Sequence, residues 1–352
     1  MGVGLFGYVA VGVNSSGGTA SNSVNITDFL PITGETLAEQ RNDLQSAAIT
    51  GIVDVQNICT GPTNVTGGVS VEVQPVSIGY LFRSFFDSTS TSLGGLSVGS
   101  GSFLSACNSH GTIRVHRFLA SNAQFQSGSG SDVPTLTMHA FRGPNATVGV
   151  DSAFAYYKMA CTDFELTFDT GAFITANFNY QGIATGYVPS TNAVIPQHVC
   201  FTWDAVSISI AGAADATFQN LTIRGNNNME FIRTLDTTVN PSLLKRNGLR
   251  TFELSGNLSF QNHTQYGRFH NGSEFPVTVT VLGPLITAGF NHQLRLEMPR
   301  VKFTQVAPQI NGPGFISVPF TAQAFYSVGS GTAFDAWLVN TRTSAYTVNS
   351  NG

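Results

Sequence analysis

Hydrophobic and polar residues alternate most regularly between Thr251 and His270. The hydrophobic positions of the first part are Phe252, Leu254, Leu258 and Phe260. A period of two predicts a β-strand that buries one face. Gly256 falls on that buried face, which predicts a bulge or the close approach of another backbone. Tyr266 and Phe269 then share one face of a predicted short helix.

The same succession occurs earlier, between Val65 and Phe86. Gly67 interrupts an alternating run of valines there, as Gly256 does in the later stretch. The alternating residues are Val65, Val69, Val71 and Val73. A stripe with helical spacing follows, which predicts an amphipathic helix, and its members are Ile78, Leu81, Phe82 and Phe85. A strand with a glycine interruption and a following helix thus occurs twice, which predicts a tandem duplication.

Two further pairs of segments match in the same order. Residues 160–168 resemble 298–303, and residues 171–181 resemble 313–323. Gly67 and Gly256 of the earlier pair of segments lie about 189 positions apart, whereas Phe173 and Phe315 of the last pair lie about 142 apart. Roughly 45 residues are therefore extra in the first copy. Because insertions in repeats fall in loops, we assign the extra residues to the Ser/Gly-rich tract 87–133.

These matches predict an all-β protein with short flanking helices and two tandem domains. The predicted parts are an N-terminal arm at 1–30, a first domain at 31–182 that contains the insertion 87–133, a linker at 183–202 and a second domain at 203–352. The linker is placed where hydrophobic periodicity is lost. A chain of 352 residues is long enough for each domain to have its own core.

Composition narrows the class of protein. Only 10% of residues are charged while 42% are hydrophobic, and 37 glycines suit a β-rich chain with many turns. So few charges also suggest that much of the surface contacts other protein. The net charge of −4 provides no basic face for nucleic acid. No run of 18 apolar residues occurs, so we expect no membrane span.

The sequence contains no convincing catalytic or metal-binding constellation. His110 and His116, like His263 and His270, lack the i, i+4 spacing of a helical metal pair, so scattered imidazoles are favoured over zinc. The four cysteines have no CxxC spacing and predict isolated thiols, at Cys59, Cys107, Cys161 and Cys200. We expect no cofactor and no enzymatic activity.

Three other signals have ordinary interpretations. Asp163, Glu165 and Asp169 alternate with aromatic and aliphatic residues, which favours a solvated strand face over a pair of catalytic carboxylates. The GLSVG fragment at 95–99 lies in low-complexity sequence with no helix after it, so a nucleophile elbow is not favoured. Chance accounts for the NxS/T sequons in a chain so rich in these residues.

One charge contrast between the two copies suggests an assembly role. Asp163 and Glu165 occupy alternate positions of a strand whose counterpart has Arg300 and Lys302 at those positions. If the copies alternate around an assembly, these four residues are candidates for setting the order of neighbours. Unrelated surface charges remain the simpler alternative.

The stretch from Gly248 to Tyr326 resembles the C-terminal half of major tail tube proteins of long-tailed, non-contractile bacteriophages. The pattern combines a strand with an internal SG, a short aromatic helix, a PRVxF strand and a GPG turn. The matching residues are Ser255, Gly256, Tyr266, Phe269, Pro299, Arg300, Val301, Phe303, Gly312, Pro313 and Gly314. The first copy is similar to the N-terminal half of the family, and the resemblance covers roughly two-thirds of the chain.

The resemblance implies a β-sandwich per domain whose sheet continues between neighbours and closes a β-barrel ring. Stacked rings would form the tail tube of the virion, through which genome DNA passes without specific binding. Two domains per chain imply a trimer with pseudo-sixfold symmetry, and a hexamer with one domain outside is the alternative. The implied partners are further copies of the chain and the tape-measure, tail-terminator and distal tail proteins.

Two other classes stay open at this point. An icosahedral coat or adhesin-type β-sandwich would form a shell and would not need the duplication. A secreted polysaccharide-acting protein could use Asp163 and Glu165, but it should carry aromatic subsites, and Trp203 and Trp337 are the only tryptophans.

Overall fold

The computed structural model describes most of the chain, namely residues 7–14, 24–48, 54, 57–92, 113–120, 134–143, 152–191, 193, 195, 199–235, 238–287, 289–308 and 316–346. The elements of the first half are β1 (Tyr8–Asn14), β2 (Val24–Leu30), β3 (Gly34–Glu35), β4 (Ala38–Arg41), β5 (Leu44–Gln45), β6 (Ile58–Cys59), β7 (Thr63–Glu72), α1 (Ile78–Phe85), β8 (Ser88–Ser92), β9 (Arg114–Leu119), β10 (Thr135–Phe141), β11 (Ser152–Asp169), β12 (Thr175–Gly182) and β13 (Ala184–Pro189).

The second half begins after a single 3₁₀ turn at Trp203–Ala205. Its elements are β14 (Val206–Ile210), β15 (Ala213–Ala214), β16 (Phe218–Asn226), β17 (Met229–Ile232), β18 (Leu243–Arg246), β19 (Thr251–Ser259), α2 (Thr264–His270), β20 (Glu274–Thr287), β21 (Phe290–Val306), β22 (Ser317–Ala324) and β23 (Asp335–Asn340). Strands dominate and both α-helices are short, so the predicted all-β class is confirmed.

One antiparallel sheet, here called the long sheet, runs through both halves. Its order is β3/β4, β7, β12, β11, β16, β19, β22 and β21, where β11 and β21 contribute only their C-terminal parts. The pairing of β11 with β16 joins the first half to the second. The longer strands alternate buried and more exposed residues, because one face of the sheet covers the core and the other meets solvent, whereas all four residues of β4 are exposed.

The N-terminal parts of β11 and β21 leave the long sheet and enter two smaller sheets. The first has the order β2, β1, β10, β11, β13. The second has the order β15, β14, β20, β21, β23, β9, β8. The main core lies between the long sheet and these smaller sheets, since it contains Val11 and Val279 from the smaller sheets and Phe164 from the long one.

The pairing pattern of the first half recurs in the second. In the first half the order β7, β12, β11, β10, β1 links a strand before the helix to four strands around it. The order β19, β22, β21, β20, β14 repeats that pattern. The predicted arm contains β1 and β2, and the predicted linker contains β13, so both contribute strands to the sheets. The division into two domains stays a prediction.

The two glycines that interrupt the alternating runs lie where the backbone of another segment approaches closely. A Cβ on Gly256 would lie 2.4 Å from the carbonyl oxygen of Asn220 on β16. A Cβ on Gly67 would lie 2.4 Å from the carbonyl oxygen of Thr36, and Gly67 has a φ of +147°. Neither position accepts a side chain without moving backbone.

The described part of the insertion 87–133 crosses to the other half. Strands β8 and β9 form a hairpin, and β9 pairs with β23 of the second half. Residues 114–119, with the sequence RVHRFL, form the second strand of this hairpin. Residues 93–112 and 121–133 of the insertion lie outside the described residues.

The two helices differ in burial. Seven of the eight residues of α1 are buried, and α2 contains no buried residue. The rings beside α1 come from both halves, since Phe85 contacts Phe164 at 4.7 Å between centroids and Phe252 at 6.0 Å. Phe334 stacks on Phe252 at 5.0 Å. The second half thus covers the helix of the first, while α2 lies at the other end of the long sheet.

Candidate assembly surfaces

The join between the halves shows how two units of this chain fit together. Residues 163–169 of β11 pair antiparallel with residues 220–226 of β16. Glu165 lies opposite Arg224, and its Oε2 accepts a hydrogen bond from Arg224 Nε at 2.7 Å. Both side chains are on the solvent-facing side of the long sheet, so this pair orders the join but contributes modestly to stability.

A buried ion-pair cluster lies beneath the same join. Asp87 follows α1 in the first half, and its carboxylate accepts from Arg246 Nη2 at 3.1 Å and from Arg250 Nη1 at 2.6 Å. All three side chains are less than a tenth exposed. Burial lowers the pKa of Arg250, and the charge of Asp87 opposes that shift. A buried carboxylate with two guanidinium partners ties the β17–β18 hairpin to the first half.

The segment after β23 covers α1. Tyr346 is buried, and its ring lies so close to Gly79 that a Cβ there would be 2.2 Å from it. The Tyr346 hydroxyl donates to the carbonyl oxygen of Val76 at 2.5 Å, and Asn340 Nδ2 donates to that of Pro75 at 2.7 Å. Burial raises the pKa of Tyr346 well above its usual value. This segment of the second half therefore fits a surface of the first.

Two segments at the ends of the long sheet have one strand partner each among the described residues. Residues 303–306 of β21 pair with β22 alone, since Val301 and Lys302 also pair with β20, and β4 pairs with β7 alone. Thr36 and Asn42 donate their N–H groups to the carbonyl oxygens of Gly68 and Pro62 on the β7 side. Because N–H directions alternate along a strand, those of Glu39 and Arg41 point to the open side. Unpaired edges of this kind are sites for pairing with another chain.

The solvent-facing side of the long sheet is uniformly polar. Its members include Thr66, Ser70, Asn177, Asn179, Glu165, Thr167, Thr222, Arg224, Glu253, Ser255, Asn257, Thr321, Gln323, Lys302 and Thr304. Acidic and basic side chains are interspersed among amides and hydroxyls. Arg224 is paired with Glu165, and Arg300 is paired with Glu274 at 2.6 Å. The face therefore lacks a cluster of unpaired cations across the described strands.

The four sequence-predicted assembly residues do not come together in the chain. Asp163 accepts from Asn179 Nδ2 at 2.6 Å, and Glu165 lies at the join. Arg300 and Lys302 lie on β21, which β16, β19 and β22 separate from β11. Their role in assembly stays a prediction.

Sequence reasoning missed the residues that hold the halves together. Asp87, Arg246 and Arg250 are far apart along the chain, and no local pattern distinguishes them. Arg224 was missed because the pairing of β11 with β16 is needed to bring it opposite Glu165. The single available signal was the rarity of charge in this chain, which makes each charged residue a candidate.

The residues considered for chemistry are dispersed. Within the described ranges, no group of three His, Cys, Asp or Glu residues could hold a metal ion. Cys59 is exposed and Cys161 is buried, and both are free thiols, as is Cys200. Cys107, His110 and the GLSVG fragment lie outside the described residues. Among the helices that the structure describes, none combines the length and apolarity needed to span a membrane.

An internal sheet join, singly paired strand edges and a polar sheet face are features of structural proteins that assemble with further chains. A family model described as phage tail tube protein matches residues 7–324. The chain belongs to this family, and it is a structural component of the virion tail. A search of curated proteins found no match.

Proposed function

We propose that three copies of this chain close into a ring and that stacked rings form the conduit for genome DNA. The observation that carries the proposal is the join of β11 to β16 within the chain. By the repeated pairing pattern, β21 is the counterpart of β11, and β3/β4 is the counterpart of β16. The open edge of β21 on one copy thus fits the open edge of β4 on the next.

The strand count supports a trimer with pseudo-sixfold symmetry. Each copy contributes eight strand positions to the long sheet. Three copies would therefore supply about 24 strands, a barrel wide enough to enclose an open channel. Heterologous contacts that close produce rings, and closure leaves no exposed edge. The hexamer with one domain outside is less suited to a sheet that runs through both halves.

We assign the polar face of the long sheet to the lumen. Hydroxyl and amide side chains dominate this face, and Arg224 and Arg300 are each paired with a carboxylate. A wall without clustered cations avoids strong contacts with phosphates, so DNA could pass without being held. In this proposal the chain makes or breaks no bond. Tape-measure, tail-terminator and distal tail proteins are its proposed partners along the tube.

Electron microscopy of the purified chain tests the proposal through an edge variant. We expect rings or hollow filaments with threefold symmetry from the wild type. Arg41→Pro removes an N–H that points to the open side of β4, so it should abolish ring closure while the melting temperature changes little. Arg41→Ala keeps that N–H and should assemble normally. Tubes formed by Arg41→Pro with wild-type yield would contradict the edge-to-edge join.

The four charged candidates would act by setting which edges meet. Glu165 suits Arg224 at the join within the chain, whereas Lys302, which lies next to the open residues 303–306 of the corresponding strand, would repel Arg224 of another copy. We therefore propose that Asp163 and Glu165 mark the internal join and that Arg300 and Lys302 mark the join between copies.

Exchanging one charge from each strand, as Glu165→Lys with Lys302→Glu, keeps the net charge and tests this assignment. We expect several-fold fewer regular rings on electron micrographs, because Lys at 165 opposes Arg224. The matched control, Asp204→Lys with Lys245→Glu, exchanges exposed charges away from the long sheet. Normal rings from the first variant would remove the charges from the account of assembly.

A further inference from the structure

The two helices carry a glycine at corresponding positions. Ile78 and Leu81 of α1 correspond to Tyr266 and Phe269 of α2, since each pair forms the apolar stripe of its helix. Gly79 and Gly267 directly follow the first member of each pair. Glycine inside a helix costs about 1 kcal/mol relative to alanine, so a glycine in both copies calls for a packing reason.

A packing contact explains the glycine of α1, but none of the described residues makes such a contact with the glycine of α2. A Cβ on Gly79 would be 2.2 Å from the ring of Tyr346, so only glycine fits there. A Cβ on Gly267 would meet nothing within 4 Å in the part of the chain that the structure describes. The second helix thus has the flat surface needed for a covering side chain, and none of the described residues covers it.

The counterpart of Tyr346 can be found through the strand that precedes it. Strands β13 and β23 correspond because each pairs with the N-terminal part of a long strand. Val188 on β13 and Val339 on β23 both belong to small apolar clusters outside the main core. Seven residues after these valines come Ile195 and Tyr346. Ile195 is 48% exposed, although its counterpart is fully buried.

A second place beside α2 repeats this difference. In the first half, Phe201 bridges two strands, because its N–H donates to Val73 and its carbonyl accepts from Ile174, each at 3.1 Å. Val73 N–H also donates to Ile174 at 2.8 Å, and in the second half Phe260 N–H donates to Ile316 at 3.0 Å. Beside Phe260 there is a cavity of about 280 Å³ instead of a bridging residue.

That cavity is suited to an apolar segment of protein. Its lining includes apolar residues from β19, β21 and β22 together with one side of α2, namely Leu258, Phe260, Val306, Val318 and Tyr266. The two neighbours of Gly267 along α2, Tyr266 and Arg268, line the cavity, as does Val306 at the end of β21. The contacts that Tyr346 and Phe201 make beside α1 thus have no counterpart beside α2 among the described residues.

We propose that the face of α2 centred on Gly267 is the docking surface for the first half of a second copy of this chain, with Ile195 of that copy seated on Gly267 as Tyr346 is seated on Gly79. The inference rests on the proposed ring, and it adds the contact that locks one copy to the next. The internal join points to this partner, because there the second half covers the helix of the first half. The open edge of β21 places the second copy on this side.

Gly267→Phe tests the surface without disturbing the chain. The side chain has room in the single copy, so the melting temperature should stay within a few degrees of the wild type. The yield of assembled rings, measured by sedimentation and electron microscopy, should fall by about tenfold or more, because the introduced phenyl group would occupy the position of Ile195 of the second copy. Gly79→Phe is the matched variant in the first half and should prevent folding, since Tyr346 fills that place.

Crosslinking tests the identity of the occupant. In a Cys59→Ser, Cys107→Ser background, Gly267→Cys combined with Ile195→Cys should give covalent dimers and trimers when assembled rings are treated with a short bismaleimide. Gly329→Cys with Ile195→Cys is the control, since Gly329 is equally open. It should give none.

The outcomes separate this inference from the ring itself. If the wild type forms rings, then normal assembly of Gly267→Phe would overturn the docking surface but not the ring. The same conclusion would follow if residues 195 and 267 gave no crosslink. A wild-type chain that forms no rings would overturn both. Loss of rings in Gly267→Phe with an unchanged melting temperature, and crosslinks in the paired cysteine variant alone, are the expected results.

Discussion

Replacing Asp87 with alanine is expected to lower the free energy of unfolding by about 3–5 kcal/mol. The carboxylate is 2% exposed and bonds two guanidinium groups that are themselves buried, on Arg246 and Arg250. Removing it leaves two positive charges close together in a region with little water. An exposed ion pair typically contributes about 0.2–1 kcal/mol, so the loss of stability in Asp87→Ala should be several times larger.

Urea denaturation followed by circular dichroism measures this loss. Asp87→Asn keeps a carbonyl acceptor but not the charge, so it should be destabilised by a smaller amount. Asp169→Ala is the matched control, because Asp169 is exposed at the end of β11 and should change stability by less than about 0.5 kcal/mol. A loss below about 1 kcal/mol in Asp87→Ala would show that the cluster does not hold the halves together.

Acidification from pH 6.5 towards pH 4 is expected to destabilise the folded chain steeply. Burial lowers the pKa of His116 to about 4 and that of His139 to about 4. An unfolded histidine titrates near 6.5, so between these values the unfolded state binds the additional proton. The stability contributed by each neutral imidazole is present above pH 6.5 and is lost as the pH falls through about 4.

The hydrogen bonds of His116 fit the neutral ring. Its Nε2 lies 3.1 Å from Asn340 Oδ1, to which it donates, and its Nδ1 accepts from the Thr91 hydroxyl at 2.9 Å. Protonation of Nδ1 would require the Thr91 hydroxyl to become the acceptor. His139 is buried, and its Nε2 has no hydrogen-bond partner in the structure described. Each histidine should contribute about 1.4 kcal/mol per pH unit in this window.

Denaturation midpoints measured between pH 5 and pH 7 test this expectation, because most carboxyl groups stay ionised in that range. His139→Leu should lower the slope of unfolding free energy against pH by up to about 1.4 kcal/mol per unit, while His116 and His292, whose pKa is also lowered by burial, keep contributing. His263→Gln, at an exposed position, should leave the slope unchanged. An unaltered slope in His139→Leu would show that this imidazole is already charged in the fold.

Much of the sheet could be predicted because the signals are local. The alternation around Phe252 and Leu254 predicted β19, and the glycine at 256 predicted the close approach of β16. The helices after β7 and β19 followed from their apolar stripes. The family resemblance rested on these patterns together, and the family match over residues 7–324 confirms it.

Other parts could not be predicted because they depend on distant pairing. Residues 1–30 and 183–202 lack strong periodicity, yet β1, β2 and β13 form there, since neighbouring strands supply partners for their backbones. The insertion 87–133 gave no sign that β9 would pair with β23 of the other half. A ladder of hydrogen bonds between distant segments leaves no trace in either segment alone.

The sequence by itself determined β7 and β19, the helices after them, and the alternation that gives these strands a polar and an apolar face, because side-chain periodicity is a property of consecutive residues. Only the tertiary structure decided that the second half covers the helix of the first, that Asp87 contacts Arg246 and Arg250, and that none of the described residues covers Gly267 or the outer edge of residues 303–306. These contacts join residues that are far apart in the chain. Burial and hydrogen bonding between distant segments bring them together, and no local sequence pattern encodes either.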